Sequence, residues 1–478
     1  MSLQTAFQKC FSFLGEKPIV VEPSAGALTS DAGLLPIREF DHRLGLTEQF
    51  AQALDDPRHQ PFVEHTVLEM VRMRIFGILA DYPDQNDHDV LRTDPAFQLI
   101  AGRSPDEAPL ASQPTLSRFE NAITIASLLR LRDVLIDQFI AAFDAPPTRV
   151  TLDIDVFDDP THGAQQLTLF HGYYGQYQYL PRVITCAEND LVLMVWLLHG
   201  TASPTLGMDD DLKYLVERLR AVWPNVEIDL RADSAYGVPL MYDTAEDLRL
   251  FYTFGLKMNP VLQRESHALL AQAVADYEAT GEAQRLFRAF WYQAGSWSCP
   301  RFAIIKCEAH EQGTNRRAVV TNRPGGPVLP GACYDEYAER GESENRNKEL
   351  KHGLAADRLS DHRYLANFLR LFLHTEALNL LVRLRRLVAA PPEPDPPSAL
   401  PTEALPEPDR HRYFNRRRER DPMGEGQPTT WRTRLIKVAA EIRVSTRRVL
   451  VRLSSSWPYL NHYAQVTDAV LAFPENSG

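Results

Sequence analysis

Cysteine is scarce in this chain, and the few cysteines form no pattern. They stand at Cys10, Cys186, Cys299, Cys307 and Cys333 of a 478-residue sequence. Their number is odd and no two form a C-x-x-C pair, so neither a disulfide framework nor a structural zinc site is expected. The cytoplasm is therefore the predicted compartment.

Long apolar runs and an excess of positive charge are also missing. No run of about eighteen apolar residues occurs, and the sequence starts without a basic segment followed by an apolar core. Neither a membrane span nor a secretory signal is predicted. The formal net charge of −12 argues against a protein that coats nucleic acid along its whole surface. Local basic patches are compatible with this balance.

The first region, residues 1–148, is predicted to be mainly helical. Apolar residues recur at intervals of three and four in 63–80 and 123–143, which is the period of a half-buried helix. Between them, a Ser or Thr in 112–117 could cap a short helix that carries Arg118. That helix is either part of a helix-turn-helix element that contacts DNA or an ordinary bundle helix. The sequence alone favours the bundle helix.

The next region, residues 149–257, alternates predicted strands with helices. Strands are predicted at 149–157, 179–186, 191–198, 226–233 and 248–257, and a helix at 209–222. Three strands, helix, strand, helix and strand is the order of an RNase H-like α/β domain. We therefore predict an α/β fold with an RNase H-like catalytic domain.

The rest of the chain divides into four predicted parts. Aromatic, alternating segments in 258–325 indicate an inserted β-rich subdomain. Residues 326–390 are expected to complete the α/β domain, ending in a long helix at 362–387. Residues 391–409 are rich in proline and acid and are typical of a linker. Residues 410–478 are predicted to be a basic helical region.

The basic region carries an excess of cations opposite in sign to the whole chain. Trp431–Arg452 is predicted to be a helix with its cations outward. These cations are Arg432, Lys437, Arg443, Arg447, Arg448 and Arg452. A charged structural helix is one interpretation, but the surplus of cations favours contact with phosphates.

Acidic residues stand at the ends of two predicted strands. Asp153 and Asp155 lie on one face of the first strand, where an unpaired carboxylate would cost several kcal/mol, about 3 or more, unless it held a cation or a partner. Asp233 ends a later strand, at the carboxyl edge where open α/β sheets place their sites. With Glu344, these hard oxygen ligands would suit Mg²⁺, with Mn²⁺ as a substitute.

Four residues further on share one predicted helix face. Tyr337, Arg340, Glu344 and Lys351 are spaced by three, four and seven, which places them on a stripe about 60° wide. A solvated face with an Arg340–Glu344 ion pair would explain the spacing. The acidic residues upstream favour a second interpretation, in which Arg340 and Lys351 hold phosphate oxygens and Tyr337 stacks on a base or donates to a phosphate.

In this interpretation the acids hold two divalent ions about 4 Å apart. Such a pair activates water on one side of a phosphodiester and stabilises the leaving oxyanion on the other.

The chain resembles bacterial insertion-sequence transposases of the DDE type, most closely the insertion-sequence 1380 group with its Tyr-Arg-Glu-Lys signature. Tyr-x2-Arg-x3-Glu-x6-Lys is met without a gap at Tyr337, Arg340, Glu344 and Lys351. Further matching stretches are LTSDAGLLPIREFD (28–41), DPTHGAQQ (159–166), HGYYGQYQYLP (171–181), LRADSAYG (230–237), YDEYAERGESENRNKELK (334–351) and TTWRTRLIKVAAEIR (429–443).

The resemblance implies a catalytic triad of Asp155, Asp233 and Glu344 that binds divalent metal. It also implies cleavage of double-stranded DNA at terminal inverted repeats, joining to target DNA, and action at the bacterial nucleoid. A homodimer is expected, because two DNA ends must be brought together. Related proteins commonly have Thr or Ser where this chain has Phe157, which keeps Asp153 open as a substitute for Asp155.

Two other functions fit part of the sequence. A decayed or domesticated transposase that only binds DNA would keep the basic features. A metal-dependent glycosyltransferase would use Asp153-x-Asp155 for a sugar nucleotide but would leave the Tyr-Arg-Glu-Lys residues unexplained.

Overall fold

The computed structural model describes residues 9–11, 17, 19–21, 27–389 and 427–475. The predicted linker at 391–409 and the arginine-rich stretch at 410–426 lie outside the described residues. In the described part of the chain, no helix is both long and apolar enough to span a bilayer.

The N-terminal region consists of short strands followed by seven helices. The helices predicted from periodicity are present, and Thr66 and Thr124 cap them by accepting from the backbone N–H of Glu69 and Ser127. The elements are β1 Lys9–Phe11, β2 Ile19–Val21, β3 Leu28–Thr29, α1 Leu34–Leu44, α2 Leu46–Gln52, α3 Val67–Leu79, α4 His88–Leu91, α5 Pro95–Ala101, α6 Gln113–Asn121 and α7 Ile125–Ile140.

The central region forms a mixed sheet in the predicted element order. The strands pair side by side as β8-β7-β4-β9-β10, with β4, β9 and β10 parallel and β7 and β8 antiparallel. The elements are β4 Arg149–Val156, β5 Asp159–Pro160, β6 Leu169–His171, β7 Gln176–Cys186, β8 Val192–His199, α8 Met208–Val222, β9 Glu227–Ala232, α9 Pro239–Asp247 and β10 Phe251–Leu256.

The predicted insertion contains the expected strands, but they do not form a separate sheet. The last of its three strands pairs antiparallel with β10 through Thr253–Leu256, so all three extend the central sheet. The open edge of β10 offers unpaired backbone groups, and the insertion satisfies them. The elements are α10 Pro260–Glu265, α11 His267–Thr280, β11 Gln284–Tyr292, β12 Arg301–His310 and β13 Gly313–Thr321.

Three helices follow the insertion. They are α12 Pro330–Ala338, α13 Gly341–Lys348 and α14 Tyr364–Val388. The predicted long helix is thus confirmed as α14, whereas the single helix predicted for Tyr337–Lys351 is interrupted between α12 and α13.

The prediction of one helix over Trp431–Arg452 is wrong. A short helix, α15 Pro428–Trp431, passes into a π-helical turn at Arg432–Ile436, and then two antiparallel strands follow, β14 Ala440–Ser445 and β15 Arg448–Leu453. Strand β3 pairs with β14, so the tertiary structure supplies a sheet partner for this β-branched segment. The last helix is α16 Leu460–Ala472.

The two ends of the described chain pack against each other at Gly33. Its backbone N–H donates to the carbonyl of Ile436 at 3.1 Å, and a Cβ at Gly33 would lie 1.8 Å from the carbonyl oxygen of Leu435. Only glycine permits this approach. The stretches 28–41 and 429–443, far apart in the sequence, therefore form one structural unit.

The N-terminal helices share their core with the α/β region. A continuous set of buried apolar side chains extends from Leu34 to Val470. Within it, Glu120 of α6 is fully buried and accepts from Arg74 of α3 at 2.7 Å and from Arg370 of α14 at 2.6 Å. Burial opposes ionisation of Glu120, but Arg370 and Arg74 outweigh it and lower its pKa to about 2. How the chain divides into domains stays a prediction.

We predict that Glu120→Gln destabilises the fold at pH 7. The substitution leaves the buried guanidinium of Arg74 without its ion-pair partner, and it leaves Arg370 with Asp361 at 3.5 Å as its acidic partner. This loss costs about 3 kcal/mol of unfolding free energy. Urea denaturation measures this loss. Glu278→Gln, at an exposed position of α11, is the control and is expected to change the unfolding free energy by less than about 0.5 kcal/mol. An equally small change for Glu120→Gln would contradict the prediction.

Candidate active site

The register of two parallel strands places Asp155 beside Asp233. Ile154 of β4 pairs with Ala232 of β9, so the next residues on the two strands are the two aspartates. Both stand at the carboxyl edge of the sheet, where the parallel strands of an open α/β sheet leave room for a site.

One face of β4 and β9 is polar along its whole length. Val150, Leu152 and Ile154 enter the core, whereas the alternating residues face α12 and α13. Those on the polar face are Arg149, Thr151, Asp153 and Asp155 from β4, with Asp229, Arg231 and Asp233 from β9 and its end. The helices thus lie against a charged surface and form ion pairs with it, while Cys333 and Tyr334 of α12 also pack against the apolar side chains of Ile304 and Val319.

Asp153 belongs to this support and is not free. Arg231 donates to both of its oxygens, from Nε at 2.7 Å and from Nη2 at 2.8 Å, and both side chains are buried. The third nitrogen of Arg231, Nη1, donates to the backbone carbonyl of Glu336 in α12 at 2.7 Å. Asp153 therefore positions the helix that carries Tyr337.

The four Tyr-Arg-Glu-Lys residues do not lie on one continuous helix. Tyr337 is on α12, Arg340 precedes the first residue of α13, Glu344 is on α13, and Lys351 is in the π-helical turn that follows. Around the break, i→i−3 hydrogen bonds replace the α-helical pattern, and Ser343 Oγ donates to the carbonyl of Arg340 at 2.9 Å. Such back-bonding bends helices. The prediction of one straight stripe is wrong, yet the four residues stay on the same side.

Tyr337 reaches the sheet because Gly255 has no side chain. A Cβ at Gly255 would lie 2.9 Å from the Tyr337 hydroxyl and 3.0 Å from the carbonyl carbon of Asp233. Burial raises the pKa of the Tyr337 hydroxyl. The phenol is therefore next to the second aspartate and carries its proton at neutral pH.

Arg340 bridges the acidic residues. Its Nη1 donates to Asp155 Oδ2 at 3.2 Å, and its Nη2 donates to Glu344 Oε1 at 2.8 Å. Asp155, Glu344 and Asp233 all raise the pKa of Arg340 against the effect of its burial. Residues far apart in the sequence thus converge around one guanidinium.

The carboxylates repel one another at this place. Burial raises the pKa of Asp155 to about 6; Arg340 opposes the rise, whereas Asp233 and Glu344 add to it. Asn347 supplies a second donor, from Nδ2 to Asp155 Oδ2 at 3.1 Å. The negative charge here exceeds what one arginine neutralises.

Lys351 lies at the other side of the site. It belongs to a π-helical turn, Glu349–Gly353, a geometry found frequently at functional sites. Its Nζ forms an ion pair with Asp158 Oδ1 at 2.6 Å, and Gln176 donates to the other oxygen of Asp158 at 3.2 Å.

The sequence analysis missed two of these neighbours and left open whether Phe157 affects the site. Asn347 was missed, although it follows Glu344 by three residues and so shares its helix face. Arg231 was missed because its partner, Asp153, is on another strand. Phe157 is buried in the core with 7% exposure, so its ring does not enter the site.

The acidic residues suit a divalent cation in their chemistry but are not arranged as a ligand set. Among the described residues, no three His, Cys, Asp or Glu side chains come close enough together to hold one ion. The donors are carboxylate oxygens, the type that Mg²⁺ prefers, and the guanidinium of Arg340 lies between two of them. Asp155, Asp233 and Glu344 therefore fit a metal provided that Arg340 moves away.

The other residues that were predicted to contact DNA differ in their burial and in their partners. Arg432 is buried and donates to the carbonyls of Ile78 and Leu79, each at 2.9 Å, so it caps α3 and does not point outward. Lys437 is paired with Asp31 at 2.7 Å. Those that are exposed are Arg118 on α6, Arg443 on β14, and Arg447 and Arg448 in the β14–β15 hairpin.

The structure thus defines an α/β protein with acidic and basic residues gathered at the carboxyl edge of a mixed sheet. A family model described as "Transposase DDE domain group 1" matches residues 11–393. The match covers most of the chain, which therefore belongs to this family of DDE transposase domains. A comparison with curated proteins gave no match.

Membership of the family has general consequences. The chain is of a transposase type, with DNA as its partner, and DDE transposases generally use divalent metal ions, typically Mg²⁺.

We predict that the two aspartates of β4 differ in their effect on stability. Asp153→Ala removes the bidentate partner of the buried Arg231, which leaves it only the longer ion pair with Glu339 at 3.6 Å, and lowers the unfolding free energy by about 3 kcal/mol. Asp155→Ala removes a carboxylate whose ionisation is disfavoured by burial, so it lowers the unfolding free energy by less than about 1 kcal/mol. Urea denaturation of both variants at pH 8 measures the difference. A larger loss of unfolding free energy for Asp155→Ala than for Asp153→Ala would contradict the prediction.

Proposed function

We propose that this protein is a DNA transposase of the insertion-sequence 1380 group. It binds the terminal inverted repeats of its element, cleaves the DNA ends by two-metal phosphodiester hydrolysis and joins them to target DNA. The observation that carries the proposal is the convergence of Asp155, Asp233 and Glu344 around Arg340. The strand order β8-β7-β4-β9-β10 supports an RNase H-like catalytic domain in two parts, 149–257 and 326–390.

Asp155, Asp233 and Glu344 would hold Mg²⁺ or Mn²⁺. The bound ions would activate water and stabilise the leaving oxygen. Asp153 is not part of this set in our proposal, because Arg231 engages both of its oxygens.

The cations beside the triad would hold the DNA strand. Arg340 would leave the carboxylates and bind phosphate oxygens with its planar fork. Lys351, which is ion-paired with Asp158, would supply a second positive charge to the same strand. Tyr337, protonated and next to Asp233, would donate to a phosphate or stack on a base. The positive charge of the metal ions would then replace that of the Arg340 guanidinium beside the carboxylates, while the guanidinium pairs with the incoming phosphate.

DNA-end recognition would use surfaces outside the catalytic site. Arg118, Arg443, Arg447 and Arg448 are exposed and are proposed to contact phosphates, and Arg443 would exchange its ion pair with Glu441 for a phosphate. Arg432 is buried and Lys437 is paired with Asp31, so these two have structural partners. A two-stranded ribbon such as β14–β15 fits a DNA groove or follows the backbone. A homodimer that brings two ends together is part of the proposal, and the bacterial nucleoid is its expected place of action.

Two alternatives remain to be separated by experiment. A decayed transposase would bind the same DNA but would not cleave it with either metal. A glycosyltransferase would respond to a sugar nucleotide and not to DNA; the pairing of Asp153 with Arg231 disfavours it, because that carboxylate is not free.

We predict that Asp155→Asn, Asp233→Asn and Glu344→Gln each abolish metal-dependent cleavage while DNA binding persists. The DNA on either side of the gene is sequenced first, and its inverted repeats serve as labelled duplex substrates. Because each side chain would hold the reactive ions, cleavage should fall by at least about 10³-fold. Gel analysis with Mg²⁺ or Mn²⁺ measures it.

The matched control for this experiment is Asp335→Asn, an acid of α12 that is ion-paired with Arg285 outside the site. It is expected to cleave at the wild-type rate. Cleavage by a triad variant at that same rate would refute the assignment, and wild-type binding without cleavage would favour the decayed form.

We predict that Arg447→Ala with Arg448→Ala weakens binding to duplex DNA and makes it less sensitive to salt. Both side chains are exposed, and neither forms an ion pair with another described residue. Each lost phosphate contact lowers the slope of log affinity against log salt by about 0.9, so the double variant should lose about 2. Fluorescence anisotropy between 50 and 200 mM salt, roughly, measures the slope. Lys213→Ala, exposed on α8, should leave it unchanged; an unchanged slope in the double variant would exclude the hairpin as a phosphate contact.

A further inference from the structure

An exposed group of aromatic side chains stands beside the proposed active site. We define the aromatic hairpin as residues 167–177, which include β6, its turn and the start of β7. Six large apolar side chains in it are exposed by 42% to 87%: Leu167, Leu169, Phe170, Tyr173, Tyr174 and Tyr177. Exposed apolar patches of this density usually mark a binding surface.

The two faces of the hairpin have different neighbours. Phe170 pairs with Tyr177 across the strands, so their rings share the outer face and contact each other at 5.5 Å. His171 pairs with Gln176 on the opposite face. Gln176 reaches Asp158, the partner of Lys351. This second face is therefore the one directed towards the proposed active site, and we call it the site face.

Tyr174 and Tyr173 continue the site face at the turn. The rings of His171 and Tyr174 lie 4.9 Å apart, and those of Tyr173 and Tyr174 lie 5.0 Å apart at nearly a right angle. Burial, with the carboxylates of Asp158, Asp155 and Asp233, raises the pKa of the Tyr174 hydroxyl. The phenol of Tyr174 thus experiences the field of the two proposed catalytic aspartates.

The site face has room and an unused polar atom. Gly172 and Gly175 stand on either side of the two tyrosines, and a Cβ placed on either glycine would meet no atom within 4 Å, so the turn borders open space. His171 Nδ1 is buried and has no hydrogen-bond partner in the described part of the chain. The exposed, flat rings of Tyr173 and Tyr174 suit a planar ligand.

Resting on the proposed function, we infer that His171, Tyr173 and Tyr174 stack an unpaired base of the DNA strand whose phosphate lies at Asp155 and Asp233. Every base has an aromatic face, and stacking on tyrosine is a common mode of binding single-stranded DNA. Lys351, across Asp158 from Gln176, would hold the adjoining phosphate. A second copy of the chain is the less suitable occupant, because a protein on these rings would cover the carboxylates from DNA.

The test compares two DNA probes on the full-length protein without added metal. One is a blunt duplex, and the other is the same duplex with a three-nucleotide single-stranded tail that contains 2-aminopurine. The wild type should bind the tailed probe more tightly and quench 2-aminopurine fluorescence by stacking. Tyr173→Ala with Tyr174→Ala should lower affinity for the tailed probe by about tenfold or more, abolish the quenching and leave binding to the blunt duplex unchanged.

Two further variants separate stacking from other roles. Tyr177→Ala removes another exposed ring, from the outer face of the same hairpin, and should behave as the wild type. Tyr174→Phe keeps the ring without the hydroxyl and should retain the quenching. If Tyr177→Ala lost as much affinity as the double variant, the effect would lie in hairpin stability and the inference would be wrong.

Three further outcomes would contradict either the stacking inference or the proposed function. If the wild type binds the blunt duplex but the double variant still quenches the tail, the stacking inference fails while the proposed function stands. If the double variant changes the oligomeric state in sedimentation and binds both probes normally, the rings are a contact between copies and the inference is overturned. If the wild type binds neither probe, the proposed function itself fails.

Discussion

The parallel pairing of β4 with β9 is the constraint on which the rest of the site depends. Ile154 opposite Ala232 puts Asp155 and Asp233 side by side at the end of the two strands. A slip of one residue in either strand would turn the carboxylate of that strand into the core and bring its apolar side chains to the site. The buried face of these strands, with Leu152, Ile154 and Leu230, prevents that slip because its apolar residues must stay in the core.

Ion pairs on the polar face, together with the apolar packing of Cys333 and Tyr334, then hold the helices against the sheet. Asp153 and Arg231 neutralise each other within the sheet, and Arg231 also holds the carbonyl of Glu336. This fixes α12 and brings Arg340 between Asp155 and Glu344. In the structure described here, the proposed catalytic acids therefore surround the guanidinium of Arg340. The positive charge of Arg340 limits the repulsion between these carboxylates. In the proposed function, a metal ion would supply that positive charge once Arg340 has paired with a phosphate.

The sequence predicted the strands and their order well because each has a strong local pattern. The errors occur where a partner remote in the sequence decides the structure. Ala440–Ser445 became a strand because Leu28–Thr29 lies beside it. The strands of the insertion were predicted, but their pairing with the open edge of β10 is visible only in the tertiary structure. Arg432 looked like a free cation in a basic segment, but the end of α3 supplies carbonyls that bind it.

By itself, the sequence determined which residues have the chemistry for the site: Asp155 and Asp233 at strand ends, and Arg340, Glu344 and Lys351 at helical spacing. Alternation and helical period act over a few residues, so they can be read locally. Only the tertiary structure decided that Asp153 pairs with Arg231, that the helix breaks before Gly341 and that the aromatic hairpin lies beside the carboxylates. These outcomes depend on contacts between segments separated by tens to hundreds of residues, and no local pattern encodes them.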